Sequence, residues 1–368
     1  MFLTEEQLIA HTDGYRLRAE ALKFYDPDHT YGRAPFPFKS DAFEEGSSGE
    51  TIDVKRGEDI FAGTDYPRSW DAFVGQHKAK EQLRVQAASA KARGARIEHT
   101  LIASGTPGIG KTTLATLLAH EAGVGFVQTT GEAKRDDFLR LIKGMKEGDV
   151  LLVDEIHLLT AGGRNKADWL LPYMTEGVWY TPQGAIEVPN VAIVGATTDV
   201  GRLPDTLISR FMCQPQLVPY THEEAAGIAL NLAERIGVTI GDDHAAAIGQ
   251  AANRNPRVMR QILTQVRDLS YAYPETHPNL GKAFDWAGVS ADGFQLAARN
   301  ILLALIAAPD YTCSIDTIRA QLGEPGPLHH HEQSLLQAGL VAITPRGRKL
   351  TDAGIRRARQ EINTRQTY

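Results

Sequence analysis

Short apolar runs recur through the middle of the chain and are separated by longer amphipathic stretches. Four of them are rich in apolar and β-branched side chains: HTLIASG (99–105), FVQTT (126–130), DVLLVDE (149–155) and VAIVGATT (191–198). Runs of this kind predict strands that are buried on both faces of a sheet. Because helical patterns lie between them, we predict a parallel sheet wound by right-handed crossovers, with a last strand at QLVPY.

The helical stretches carry start and stop signals. KAKEQLRVQAASAKARG ends at Gly94, and helices are predicted after the first three strands at TTLATLLAHEAG, RDDFLRLIKGM and 165–176, with a hairpin over 178–188. Thr221 is a predicted N-cap, and Pro256 stands in the first turn of a later helix. Residues 221–285 are therefore predicted to be all helical.

The two ends of the chain depart from this pattern. Prolines, glycines and acidic runs such as DAFEEGSSGE predict a loosely packed or partner-docked extension over 1–65. Near the other end, GLVAITPRGRKLTDAG predicts two short strands around a tight basic turn. We divide the chain into this extension, an α/β core (66–220), a helical unit (221–288) and a C-terminal unit (289–368).

Composition narrows the class of protein. The chain has 368 residues, of which 42% are hydrophobic and 23% charged, so it is globular and neither collagen-like nor wholly disordered. No stretch approaches about 20 continuous apolar residues, and the acidic start is unlike a signal peptide, so we expect no membrane association. Cys213 and Cys313 form neither a disulfide framework nor a zinc site, which favours the cytoplasm.

A glycine-rich turn lies between the first buried strand and the helix after it. It fits G-x-x-x-x-G-K-[ST], the P-loop pattern, in which backbone N–H groups and a helix N-terminus face phosphate oxygens. Lys111 is expected to bridge the β- and γ-phosphates of ATP, and the Thr112 hydroxyl to bind Mg²⁺. The predicted nucleotide-binding residues of this turn are Gly105, Thr106, Pro107, Gly108, Ile109, Gly110, Lys111, Thr112 and Thr113.

Two carboxylates end the apolar strand DVLLVDE. Adjacent buried acids are costly unless a cation and water accompany them, so their position beside a P-loop favours ATP hydrolysis over nucleotide storage. Asp154 is expected to hold Mg²⁺ through water, and Glu155 to polarise the attacking water.

At this point the chain resembles AAA+ ATPases and, among them, the RuvB family of Holliday-junction motors. The resemblance covers roughly the last 300 residues and rests on FVGQ (73–76), GTPGIGKTTLA (105–115), DEIH (154–157), GATT (195–198), SRF (209–211), NPR (255–257) and ITPRGR (343–348). It implies a P-loop AAA+ core, a helical lid over 221–288 and a C-terminal winged-helix domain. It also implies ATP and Mg²⁺ as cofactors and a bacterial or phage protein acting in the cytoplasm.

The resemblance assigns roles to single residues. Thr198 matches sensor 1, which orients the lytic water, with Thr197 as the alternative. Arg210 matches the arginine finger that reaches the ATP of the adjacent subunit in a ring, usually a hexamer. Arg257 matches sensor 2, which contacts the γ-phosphate in the same chain. Phe73 and Val74 match the segment around adenine, which Tyr220 is expected to help close.

The C-terminal basic turn resembles the wing of a winged-helix domain. From residue 341 onward seven basic residues stand against two acidic ones, although the whole chain has a net charge of −6. Arg346, Arg348 and Lys349 are the expected contacts to duplex or branched DNA, through the backbone or minor groove without sequence reading. We expect His329–His331 to be a polar or DNA-facing surface.

Three departures from the family pattern bear on partners. The hairpin VWYTPQGAIEV (178–188) is shorter than the one that docks RuvA, which weighs against a RuvA-type partner. Ile208 stands where the family has a second arginine. The segment GGRNKADW (162–169) is more polar than its family counterpart and hints at a changed pore or substrate loop.

Two other functions remain open from the sequence. An AAA+ helicase loader or remodelling factor would use the same ATP site as a switch, and the acidic extension and short hairpin suit it. A protein-unfolding machine would fit the ATPase core but gives no reason for the basic PRGRK turn. We favour the ATP-driven DNA motor that migrates Holliday junctions.

Overall fold

The structure is a computed structural model that describes residues 52–161, 167–274, 279–323 and 329–366. These residues form two compact units that divide between Ala283 and Phe284. The first unit therefore holds both the predicted α/β core and most of the predicted lid. In the described ranges no helix has the length and apolar character needed to cross a bilayer.

A five-stranded parallel sheet forms the centre of the first unit. Its strands in spatial order are β2, β3, β6, β1 and β7, and every pairing is parallel, as predicted. A separate antiparallel hairpin confirms the prediction for 178–188. The strands are β1 (Thr100–Ser104), β2 (Phe126–Thr130), β3 (Val150–Asp154), the hairpin strands β4 (Val178–Thr181) and β5 (Gly184–Glu187), then β6 (Ala192–Thr197) and β7 (Gln216–Leu217).

Helices cover this sheet because its central strands are apolar along their whole length. β1 and β6 are buried at every position, and β3 at all but its last. An apolar cluster that includes Phe138, Leu151, Trp179 and Ile193 packs against the sheet. The helices of the core are α1 (His77–Arg93), α2 (Lys111–Ala122), α3 (Arg135–Gly144), α4 (Leu170–Glu176) and α5 (Asp205–Ile208).

The lid helices begin where the sequence predicts. Thr221 Oγ1 accepts the Glu224 N–H at 3.1 Å, and the Glu224 carboxylate accepts the Thr221 N–H at 2.8 Å, which is a capping box. Asn255 caps the helix that has Pro256 in its first turn. The helices are α6 (His222–Ile236), α7 (Asp242–Ala251), α8 (Pro256–Ala272) and α9 (Leu280–Trp286), and α6 packs against α7 and α8.

Residues 52–65, which the sequence assigns to the extension, are packed onto the core. Lys55 pairs with Phe126 at the free edge of the sheet, with N–H···O distances of 3.1 and 2.9 Å. Ile60 and Phe61 are buried in a 3₁₀ turn, Gly57–Phe61. The signal was missed because a few apolar residues spread among polar ones show neither helical nor strand periodicity. The rest of the predicted extension, 1–51, lies outside the described residues.

The second unit has the helix–strand–helix–helix–strand–strand order of a winged-helix domain. Its three strands pair antiparallel in the order β8, β10, β9, and its core includes Ile301, Leu305, Ile318 and Leu335. The elements are α10 (Leu296–Ala307), β8 (Thr312–Cys313), α11 (Ile315–Leu322), α12 (His329–Gln337), β9 (Val341–Thr344), β10 (Gly347–Leu350) and α13 (Asp352–Gln366). β8 is too short to leave a pattern in the sequence.

One buried carboxylate ties the N-terminal segment to the core. Asp149, 1% exposed, accepts two hydrogen bonds from Arg56 at 2.9 and 2.6 Å and the N–H groups of Gly125 and Lys146 at 2.7 and 2.8 Å. Three chain segments therefore meet at a single side chain.

We expect Asp149→Ala to lower the free energy of unfolding by about 3 kcal/mol or more, because it leaves buried N–H donors and a guanidinium without an acceptor. Asp53→Ala, on the same N-terminal segment but exposed, should change it by less than about 0.5 kcal/mol. Urea unfolding followed by tryptophan fluorescence measures both. Equal stability of the two variants would contradict the role given to Asp149.

Candidate active site

The P-loop follows β1 and turns into α2, as predicted. Gly110 closes the turn with a φ of +107°, in the range that favours glycine, and α2 begins at Lys111. Lys111 is buried, and its Nζ donates to Ser104 Oγ at 3.1 Å. Burial lowers the pKa of this ammonium, while the nearby Glu155 and Asp154 carboxylates favour its charged form. The lysine is thus held beside the two acids of β3.

The two acids lie at the carboxyl end of β3. Asp154 Oδ2 lies 3.5 Å from Thr112 Oγ1, which places a carboxylate and a hydroxyl oxygen on the same side of the P-loop. Burial, together with the charge of Glu155, raises the pKa of the Asp154 carboxyl. Glu155 has a φ of 46°, a left-handed conformation that few residues other than glycine adopt. This turn directs the chain from the strand into the 3₁₀ segment Ile156–Thr160.

The two candidate sensor threonines, at the end of β6, make different hydrogen bonds. Thr198 Oγ1 donates to Glu155 Oε2 at 3.2 Å. Thr197 is fully buried, and its Oγ1 lies 3.0 Å from His157 Nδ1 and accepts the Asp199 N–H at 3.0 Å. Thr198 is therefore the threonine that contacts an acid directly, whereas the buried Thr197 reaches Glu155 only through His157, whose Nδ1 lies 3.3 Å from Glu155 Oε2.

A small cavity of about 70 Å³ lies between the P-loop and the lid. Phe73, Val74 and Tyr220, which the sequence assigns to an adenine pocket, line it together with Gly110 and Thr113. Its other lining residues were not predicted: Pro67, Ala72, Ile228, Asn231, Leu232, Arg235 and Pro256. Ile228 and Leu232 lie four residues apart on α6, a spacing that is indistinguishable from an ordinary core stripe in the sequence.

The segment before Phe73 also reaches this site. Asp65 accepts from Arg260 of α8 at 2.5 Å, and the Asp65 carbonyl accepts from Arg235 of α6 at 3.3 Å. Burial and the Asp154 charge raise the pKa of the half-buried Tyr66 hydroxyl, which Arg257 partly offsets. Tyr66 is thus a site residue that no motif in the sequence signals.

The lid contacts the P-loop directly at the start of α8. Asn255 Nδ2 donates to the Pro107 carbonyl at 2.9 Å, and a Cβ at Gly108 would lie 2.9 Å from Arg257 Cβ. Besides burial and the carboxylates, the charge of Arg257 acts on the pKa values of Lys111 and Asp154. The predicted sensor 2 residue therefore joins the P-loop and the β3 acids at one edge of the sheet.

Arg210 lies toward the opposite side of the sheet from the P-loop, near the amino-terminal ends of the strands. It precedes Cys213, which pairs with Thr100 at the start of β1, whereas the P-loop follows the end of β1 about 13 Å further on. Its Nε is buried and has no hydrogen-bond partner among the residues that the structure describes. Arg210 is thus the one predicted catalytic residue that the fold does not bring to the site of the same chain.

The predicted DNA contacts belong to the second unit and differ in exposure. Arg346, in the β9–β10 turn, and Lys349 are exposed. Arg348 is half-buried, and its Nε lies 2.5 Å from Oε1 of Glu332, a buried residue of α12. Arg348 is therefore engaged with α12, whereas Lys349 faces the opposite side of the sheet, because successive strand positions alternate.

Some predicted features fall on residues outside the described ranges. These are 162–166 of GGRNKADW. For His329 and His330 the structure describes the helical backbone but not the side chains. Among the described residues, no group of three or more His, Cys, Asp or Glu side chains is arranged to hold a metal ion.

A parallel sheet with a P-loop after β1, two acids at the end of β3, a threonine after β6 and an arginine from a helical lid defines a P-loop ATPase of the AAA+ class. The family model described as the Holliday junction DNA helicase RuvB P-loop domain matches residues 66–217. The chain is 32% identical over 304 residues to the Holliday junction branch migration complex subunit RuvB of Myxococcus xanthus, covering 77% of this chain and 87% of that protein. It is 33% identical over 301 residues to the same subunit of Corynebacterium diphtheriae, covering 77% and 82%.

Solved structures give the same result. The Thermotoga maritima RuvB branch migration motor has a TM-score of 0.66 and 29% identity, covering 80% of this chain and 98% of that one. A single-residue variant of the T. maritima protein has a TM-score of 0.67 and 30% identity over the same shares. The chain belongs to the RuvB family.

The two threonines can be told apart by substitution. We expect Thr198→Val to lower the maximal ATP hydrolysis rate about 10- to 100-fold with little change in nucleotide affinity, because it removes a hydrogen bond to the Glu155 carboxylate. Thr197→Val should instead lower the melting temperature, since Thr197 Oγ1 is bonded inside the fold. Steady-state hydrolysis, nucleotide binding and thermal unfolding provide the measurements. A rate loss confined to Thr197→Val would reverse the assignment.

Proposed function

We propose that this chain is an ATP-driven motor that migrates Holliday junctions, the activity named for its relatives. The observation that carries the proposal is the convergence of Lys111, Asp154, Glu155 and Arg257 at one sheet edge in a chain of the RuvB family. Hydrolysis at that edge supplies the free energy that moves DNA.

Each residue of the site has a separate role in binding or hydrolysing ATP. Lys111 and the P-loop N–H groups bind the β- and γ-phosphates, and Arg257 binds the γ-phosphate from the lid. Glu155 takes the role of general base toward the attacking water, and Thr198 orients its carboxylate. Phe73, Val74 and Tyr220 enclose the base in the cavity between P-loop and lid.

Thr112 and Asp154 fit a Mg²⁺ ion. A hydroxyl and a carboxylate supply the hard oxygen ligands that this ion prefers, and they lie 3.5 Å apart. A half-buried carboxylate with a raised pKa is also the kind of group that a cation stabilises in its charged form. When bound, Mg²⁺ would neutralise charge on the β- and γ-phosphate oxygens.

Arg210 supports a site shared between copies. Its backbone lies near the start of β1, so its side chain is placed to serve another copy rather than the P-loop of its own. We infer that it is an arginine finger and that the active form is a closed ring, with a hexamer as our expectation.

Arg346 and Lys349 are the proposed DNA contacts of the winged-helix unit. Both are exposed on the β9–β10 hairpin, and contacts of this kind position DNA without reading its sequence. Arg348 is left out, because moving it to DNA would leave Glu332 buried and unpaired. The β4 and β5 strands are four residues each, and we propose no RuvA-type docking on this short hairpin.

A junction assay tests the function directly. The purified chain, with ATP and Mg²⁺ and no partner protein, should dissociate a synthetic four-way junction and leave linear duplex intact. Glu155→Gln should retain nucleotide binding but lose junction dissociation and at least about 99% of hydrolysis, since its amide cannot act as a base. ATP hydrolysis without junction dissociation would favour the loader function instead.

The wing makes a second, separate prediction. Arg346→Ala combined with Lys349→Ala should weaken duplex binding and reduce the slope of log affinity against log salt by up to about 0.9 for each phosphate that the variant no longer neutralises. Lys146→Ala with Lys143→Ala removes the same charge from the ATPase unit and is the control. An unchanged slope in the wing variant would remove the wing from the DNA interface.

A further inference from the structure

Two backbone carbonyls of the P-loop are held by side chains from the lid side of the cavity. The Asn255 amide donates to the Pro107 carbonyl at 2.9 Å, and the Tyr220 hydroxyl donates to the Ile109 carbonyl at 2.8 Å. Asn255 is the N-cap of α8, and Tyr220 immediately precedes the capping box of α6. Alternate carbonyls of the loop are therefore fixed by residues that stand just before two different lid helices.

The chemistry of both donors is unambiguous. Asn255 Oδ1 accepts the Arg257 N–H at 3.0 Å, so its NH₂ group must be the atom that faces the Pro107 carbonyl. Tyr220 is 3% exposed, and burial raises the pKa of its hydroxyl, so the proton that it donates stays in place.

Because peptides are planar, these two hydrogen bonds also set the direction of N–H groups on the phosphate side of the loop. In a trans peptide the C=O of one residue and the N–H of the next point in opposite directions within one plane. Fixing the Pro107 carbonyl toward the lid therefore directs the Gly108 N–H away from it, and fixing the Ile109 carbonyl does the same for the Gly110 N–H. These N–H groups belong to the cradle that binds phosphate in a P-loop.

The packing leaves little freedom for another arrangement. Gly108 and Gly110 have φ values of +79° and +107°. A Cβ at Gly108 would lie 2.6 Å from Asn255 Oδ1, and one at Gly110 would lie 2.9 Å from the Phe73 ring. Asn255 thus packs closely against Gly108, and Phe73 against Gly110. These are the glycines whose preceding carbonyls are bonded by Asn255 and Tyr220.

We propose that Asn255 and Tyr220 are positioning residues that preorganise the phosphate cradle and couple lid orientation to nucleotide affinity. Tyr220 lies at the boundary between core and lid, whereas Asn255 lies inside the lid. A lid that swings away therefore breaks the Asn255 bond and frees the Pro107–Gly108 peptide to rotate, so that nucleotide release follows lid opening. This inference rests on the proposed function, since it assigns these residues to the same ATP site.

Four substitutions in the full-length chain test it. Asn255→Ser keeps the N-cap of α8 but is too short to reach the Pro107 carbonyl, and Tyr220→Phe keeps the ring but removes the donor. Asn279→Ser is the matched control, because Asn279 Oδ1 accepts the Lys282 N–H at 3.0 Å in the same way. Tyr173→Phe is the second control, because it removes a buried hydroxyl that donates to the Pro189 carbonyl at 2.8 Å and accepts the Val191 N–H at 2.9 Å.

The measurement is the affinity and dissociation rate of a fluorescent ADP analogue, without DNA. Asn255→Ser and Tyr220→Phe should each weaken binding about three- to tenfold, mainly through faster release, while the two controls stay at the wild-type value. The urea midpoint of Asn255→Ser should equal that of Asn279→Ser, which separates positioning from stability.

Wild-type affinity in both Asn255→Ser and Tyr220→Phe would overturn this inference and leave the ATPase function standing. Equal weakening in the two controls would also overturn it, since the effect would then be a general loss of stability. If the wild-type chain bound no nucleotide, the proposed function would fail together with this inference.

Discussion

Parallel pairing of three neighbouring strands is the constraint on which the site depends. β1, β6 and β3 lie side by side, so their carboxyl ends meet at one edge. That edge receives the P-loop after Ser104, the acids after Val153 and the threonines after Ala196. A one-residue slip of any strand would turn these groups to the wrong face of the sheet.

The site that this edge supports is complete on one side only. The lid supplies Arg257, part of the cavity wall and the bond to the Pro107 carbonyl, and Tyr220 at its boundary with the core supplies the bond to the Ile109 carbonyl. Arg210, in contrast, lies toward the start of β1 and leaves a buried Nε without a partner among the described residues. If Arg210 serves a neighbouring copy, as we propose, hydrolysis is linked to assembly, which suits a motor that moves along DNA.

Much of the fold could be predicted from the sequence because its signals are local. Continuous apolar runs indicated the strands, and fixed motif spacing indicated Lys111, Thr112, Asp154 and Glu155. Features that depend on register or on distant packing could not be obtained in this way. The choice between Thr197 and Thr198 depends on which face of β6 meets Glu155, and Ile228 and Leu232 resemble any core stripe. The ion pair of Arg348 with Glu332, 16 residues earlier in the chain, likewise depends on packing that no local pattern encodes.

The shared site is the central claim, and mixing two forms of the chain tests it most directly. Arg210→Ala protein is added to wild-type protein at constant total concentration, and ATP hydrolysis is measured across the series. If Arg210 completes the neighbour's site in a ring, activity falls more steeply than the wild-type fraction. Activity strictly proportional to the wild-type fraction, with a specific rate independent of protein concentration, would contradict the account.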